Sequence, residues 1–278
     1  MISIYKYRIS KIIFVAIFIL LSASIKTFGQ VLKKPIPNHL VILTFDDAVS
    51  TDYTVIAPIL KKYGFGGTFF ITEFPNFKNK HDYLSWEQIK KLHEMGFEIG
   101  NHTAHHHHVP GMNRKQFTKS LDYIERKCRK YDIPKPVDFA YPGWRVASYG
   151  FKVLKKKGYW FARAGGNRPY NPGKDYPYLI PSYNVGGLNS TKVMHAIRQA
   201  MDGKIVVLTI HGVPDFAHPW VTTPPHLFKK YMRYMHDHHY KVIALKDLKK
   251  YVDPQKALRK LTPHINDNIQ NIQKKKGS

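Results

Sequence analysis

The chain has 278 residues, a single cysteine, and a formal charge of +25 from 44 basic and 19 acidic side chains. One thiol excludes an internal disulfide framework, so stability has to come from packing, with or without a metal. The charge favours anionic partners such as envelope polymers. With no basic–aromatic repeat and no recognisable reading element, the sequence gives no reason to expect nucleic-acid binding.

In chain order, Lys6, Arg8 and Lys11 precede an apolar run from Ile12 to Leu21, followed by small and polar residues. A run of that length falls short of the roughly 20 residues a hydrocarbon core requires. The segment therefore reads as a secretory signal, residues 1–29, with cleavage near Gly29 and Gln30 or after Ala23 or Ser24. The expected product is exported to the periplasm, envelope or medium, with no stable membrane span after cleavage. Loss of the four basic residues in this region leaves about +21.

Residues 30–253 are enough for one large α/β domain, and no linker interrupts them. Short apolar runs alternate with longer amphipathic stretches, the pattern of parallel strands with covering helices. Strands are expected at Leu40–Phe45, Thr68–Ile71, Glu98–Gly100, Asp138–Tyr141, Tyr159–Arg163, Ile205–Ile210 and Lys241–Ala244. Helices are expected to begin near Thr51, Ser85, Asn113, Val146, Thr191 and Pro225. The helix from Ser85 opens on a capping sequence, Ser-Trp-Glu-Gln, and stops at Gly96. Cys128, in the helical stretch from Asn113 to Tyr131, reads as a buried small hydrophobe. Residues 254–278 form a basic tail ending in Lys274, Lys275 and Lys276, expected to be loosely packed or a frayed helix. The architecture implied is a distorted (β/α) barrel of about seven strands, whose chemistry belongs at the carboxyl ends of the strands.

Three segments at such ends carry ionisable groups. Asp46 and Asp47, in LTFDDAVS, point in different directions at a strand end, so one carboxylate can hold a cation while the other transfers a proton; a turn or a helix N-cap is the plainer use of such a pair. In EIGNHTAHHHH, a helical course would align His102 and His106 on one face to share a metal, whereas a solvated histidine tract would do neither. His211 ends the most β-branched run, IVVLTIH, either as a satisfied core histidine or as a third member of one site. Further on, Trp220 in HPWVTTPP offers a ring on which a sugar could stack, although core filling is the commoner role of tryptophan.

Over roughly residues 38–252 the order and spacing of TFDDA, GGTFFITE, LSWEQIKKLHEMGFEIGNHTAHHHH and LTIH resemble the NodB-like polysaccharide deacetylases, carbohydrate esterase family 4. The resemblance implies a NodB-like fold and removal of N- or O-linked acetyl groups from an extracellular or envelope polysaccharide. It also implies Asp46 as catalytic base, Asp47, His102 and His106 as metal ligands, and His211 as general acid. Zinc is the expected ion, with cobalt, nickel, manganese or iron also compatible with mixed nitrogen and oxygen ligation.

The chain departs from that pattern in places. Ala48 stands where glycine is usual. The third motif, commonly Arg-Pro-Pro-Tyr-Gly, is AYPGW here, with Ala140 in the arginine place; the Gly143 N–H is the candidate oxyanion donor. The fourth motif is ARAGGNRPY, and Arg163 is expected to replace the missing guanidinium by orienting Asp46 from a neighbouring strand; a surface position is the alternative. These departures keep two other functions in view: a glycan-binding protein of the same fold with weak or no turnover, and a hydrolase of small non-sugar amides.

Overall fold

The computed structural model describes residues 31–186 and 189–265. The expected signal at 1–29 and the lysines at 274–276 lie outside the described residues. Among the described residues, eight parallel strands form one curled sheet: β1 (Leu40–Asp46), β2 (Thr68–Ile71), β3 (Glu98–Asn101), β4 (Asp138–Ala140), β5 (Phe161–Arg163), β6 (Tyr183–Asn184), β7 (Val206–Ile210) and β8 (Lys241–Ile243). Their order is β5-β4-β3-β2-β1-β7-β6. One edge of β1 is shared, its first half pairing with β8 and its second half with β2. This is the expected distorted barrel. β6 was not foreseen because two residues are too few to carry an alternation.

Seven helices cover the sheet among the described residues: α1 (Ala57–Tyr63), entered through a π turn at Asp52–Ile56, α2 (Trp86–Glu94), α3 (Arg114–Lys130), α4 (Ser148–Lys157), α5 (Ser190–Arg198), α6 (Pro225–Asp237) and α7 (Pro254–Lys260). Reciprocal capping boxes start α2, between Ser85 and Gln88, and α3, between Asn113 and Gln116. Each satisfies two backbone donors that a helix start leaves orphaned. The segment expected as a tail begins as α7, capped by the Asp253 side chain, with Pro254, Ala257 and Leu258 buried. Cys128 is buried, and burial pushes its thiol up to about 12.

The period of two along each strand sorts side chains between the helical layer and the barrel interior. On β1, Val41, Leu43 and Phe45 pack in the cluster under the helices, whereas Leu40 and Ile42 pack inside. Thr44 and Asp46 continue the inward set. Phe161 faces inward on β5 and Val207 on β7, so Arg163, Thr209 and His211 inherit the same parity. The ring of Phe70 fills the space beside Gly100, where an added Cβ would stand 2.4 Å from it. Gly100 is therefore fixed by close approach, and its successor in parity, His102, enters the same interior.

Candidate metal centre and active site

Asp46 ends β1, and Asp47 and Ala48 follow it in the left-handed region, at φ of 77° and 54°. Non-glycine residues adopt that conformation at a steric cost, which marks this turn as one held by its surroundings. The effect is to send two adjacent carboxylates in different directions. Asp46 Oδ2 lies 2.6 Å from Arg163 Nη2. Asp47 turns toward the histidines, with Oδ1 3.6 Å from His102 Nε2 and 3.4 Å from His106 Nε2.

His102 leaves the end of β3 with its Nδ1–H donated to the Ala140 carbonyl at 2.8 Å. That bond fixes the tautomer and leaves the Nε2 lone pair facing Asp47. The helical course considered for this segment is not adopted. Thr103 and His106 have φ of 66° and 56°, and the chain turns back as a loop held by the His106 N–H to Thr72 Oγ1. Left-handed residues at both positions bring the two rings to 5.0 Å without a helix.

The ligand atoms of Asp47, His102 and His106 all lie within 4.8 Å of one another. Asp47 Oδ1 is buried with no hydrogen-bond partner. Burial, followed by the neighbouring Asp46, pushes the Asp47 carboxyl up to about 8, and burial pulls the His102 imidazole down to about 4. An orphaned carboxylate oxygen facing two neutral imidazoles is a donor set with an unmet need for positive charge, and a divalent cation meets it. These residues fit a metal.

Arg163 is fully buried. Its Nη1 donates to Thr209 Oγ1 at 2.9 Å, its guanidinium lies 5.5 Å from the Phe70 ring centroid, and Nη2 makes the Asp46 contact. The surface alternative fails. The route also differs from expectation: β5 and β1 are separated by β4, β3 and β2, so Arg163 reaches Asp46 across the barrel interior and not from a neighbouring strand. Burial raises the Asp46 carboxyl, but Arg163, with His102 and His211, outweighs it and holds Asp46 below the usual carboxylate range. Arg168, the next arginine along the chain, is paired with Asp175 on the surface.

His211 follows β7 and places Nε2 3.7 Å from Asp47 Oδ2. Burial pulls its imidazole down against Asp46 and Asp215, which pull it up. Gly143 lies in the turn after β4 at φ 59°, beneath the His108 ring. The bonds that close this turn run from Trp144 N to Tyr141 O and from Arg145 N to Pro142 O, so neither uses the Gly143 N–H.

Residues 33–162 match the family model described as polysaccharide deacetylase. Over that stretch, just under half of its length, the chain is similar to the polysaccharide deacetylase family. The matched stretch carries Asp46, Asp47, His102 and His106, and stops one residue before Arg163. Among relatives of this family, the chain is 26% identical over 180 residues to the peptidoglycan-N-acetylglucosamine deacetylase of Bacillus cereus, covering 62% of this chain and 74% of that one. It is 31% identical over 123 residues to the peptidoglycan-N-acetylmuramic acid deacetylase PdaA of Bacillus subtilis, covering 43% and 44%. The first three curated relatives are thus spanned over 44% to 74% of their own length. The solved structure of Bacillus subtilis PdaA, a family 4 carbohydrate esterase, shares the fold at a TM-score of 0.55 and 20% identity, over 83% of this chain and 89% of that one.

Sequence reasoning missed Asp215 and His218, which line the same site. His218 Nδ1 lies 3.8 Å from Asp47 Oδ2 and 3.4 Å from Asp215 Oδ2. The available signal was a second histidine seven residues after the strand-end one, in a stretch dense with proline. Trp220, assigned more readily to the core, is instead 73% exposed on the loop after β7. Pro219 opens a short 3-10 turn, Pro219–Val221, that carries the ring.

Proposed function

We propose that this chain is a metal-dependent hydrolase that removes acetyl groups, amide- or ester-linked, from a carbohydrate of the cell envelope or medium. The observation that carries this reading is the pairing of functions on one turn. Asp46 is held by Arg163 and kept ionised, while the adjacent Asp47 faces two histidine nitrogens. The family relatives support the same activity, and the N-terminal sequence supports export.

Asp47, His102 and His106 would hold the cation, with zinc the first choice for a donor set of two imidazoles and a carboxylate. When bound, it would polarise the acetyl carbonyl and acidify water. Asp46 takes a proton from the attacking water, its free Oδ1 being buried without a partner and available for that bond. Arg163 holds the other oxygen and fixes the direction of the lone pair. The Gly143 N–H stabilises charge developing on the carbonyl oxygen, and His211 hands a proton to the departing amine or alcohol. Water adds to the carbonyl carbon, the C–N or C–O bond breaks, and acetate leaves.

Acetate release from acetylated chitin-type, peptidoglycan and xylan oligomers tests the proposal, with Asp46→Asn and chelated protein as controls. Loss of release in both controls is expected. Release of equal rate from Asp46→Asn would overturn the assignment of the base.

A further inference from the structure

Among the described residues, three large apolar side chains are exposed: Met201 at 42%, Phe216 at 49% and Trp220 at 73%. Two of the three stand on the loop that follows His211. Trp220 is also the one exposed tryptophan of the four in the chain.

The loop that carries it is tied down. Asp215 accepts from the backbone N–H groups of His218, at 2.7 Å, and of Gly212, at 3.3 Å. Its own N–H donates to Thr222 Oγ1, and the Thr223 N–H donates to the Gly212 carbonyl. Thr51 Oγ1 accepts from the Val213 N–H and donates to the Pro214 carbonyl, stitching the loop to the turn after β1. An indole on a loop fixed in this way is a preorganised surface, because little ordering entropy remains to be lost when a ring is laid on it.

The indole is also continuous with the metal ligands. His106 stacks on Phe74 at 5.1 Å, Phe74 meets His218 at 4.9 Å, and His218 meets the edge of Trp220 at 5.5 Å. This aromatic wall runs from the reacting position to the solvent rim. A flat apolar face with a polar histidine beside it suits the hydrocarbon face and hydroxyl edge of a pyranose. We propose, resting on the deacetylase reading, that Trp220 is a stacking platform for a sugar ring adjoining the one that loses its acetyl group. The chain therefore prefers oligomers over single acetylated sugars. Trp220 acts by positioning substrate, and His218 with Phe74 buttresses it.

The test compares wild type, Trp220→Ala and Trp220→Phe on β-1,4-linked N-acetylglucosamine oligomers of one to five units, following acetate release and tryptophan fluorescence. KM of Trp220→Ala is expected to rise with oligomer length, to about tenfold above wild type for the pentamer, the scale of one aromatic contact, while Trp220→Phe recovers most of it. Pentamer should quench the wild-type fluorescence and leave Trp220→Ala unquenched. A KM penalty equal at all lengths would mark a merely structural residue and overturn the platform, as would wild-type fluorescence indifferent to the pentamer. Quenching by pentamer without acetate release from any oligomer or from 4-nitrophenyl acetate would defeat the hydrolase reading and leave the platform standing.

Discussion

Replacing Arg163 isolates the most specific feature of the site. The side chain is fully buried, and its partner carboxylate is almost as deep, so neither charge has solvent to fall back on. Removing one member of a buried pair costs about 3–5 kcal/mol, because the remaining charge is left uncompensated. Against a typical total stability of roughly 5–15 kcal/mol, Arg163→Ala should remain folded but melt early. Its effect on chemistry is read separately. With Arg163 gone, burial, already the largest single influence on Asp46, is opposed only by His102 and His211, and the carboxyl rises from below the usual range. Asp46 must be ionised to act as base, so the acid limb of the kcat/KM profile should move to higher pH. Turnover at pH 7 should fall by about ten- to a thousandfold, as when an oriented group loses its support, with bound metal unchanged. Arg163→Lys should restore charge but little rate, because an ammonium cannot reach Asp46 and Thr209 with a planar fork. The assay is a pH series of acetate release beside elemental analysis. An unshifted acid limb in Arg163→Ala, with near wild-type rate, would refute the argument.

Chelation should abolish acetate release and added zinc or cobalt should restore it; His102→Ala should bind no metal while Asp46→Asn keeps it, both measured by elemental analysis. His211→Gln should depress hydrolysis of N-acetyl substrates far more than of 4-nitrophenyl acetate, whose leaving group departs without a proton, so an equal loss on both would remove His211 from the acid's role. At the opposite end of the barrel, burial and then Glu98 raise the Asp138 carboxyl. A raised acid stabilises the fold below its unfolded pKa and loses that stability as pH climbs through the folded one. Asp138→Asn, still able to accept the Phe161 N–H, should therefore match or exceed the wild-type melting temperature at pH 8 while releasing acetate normally.

The strands were legible because β1 and β7 are nearly continuous apolar runs, and β2 coincides with its expected limits. The strand-end placement of Asp46, His102, Arg163 and His211 followed from the same pattern. What sequence could not supply was direction. The left-handed turns at Asp47, Thr103 and His106 have no composition signal, since glycine, the usual marker, is absent from all three. The loop after His211 was opaque for another reason: Asp215 and His218 enter the site through hydrogen bonds within the loop itself, which periodicity does not encode.

The contacts of Arg163 continue past Asp46. The guanidinium donates to Thr209, whose hydroxyl meets Ser182, whose hydroxyl in turn donates to the Ala164 carbonyl. Between β5 and the segment before β6, backbone pairing consists of a bridge at Arg163 and Ile180, with the Ala162 N–H donating to the Pro177 carbonyl beside it. Here a thread of side chains reinforces the barrel wall, and the thread begins at the guanidinium that holds Asp46. If Asp46 is the base proposed above, displacement of β5 would loosen the wall and the base together. Hydrogen exchange at the Ala164 amide, bonded to the Ile180 carbonyl, would serve as a distant gauge of whether Asp46 is held.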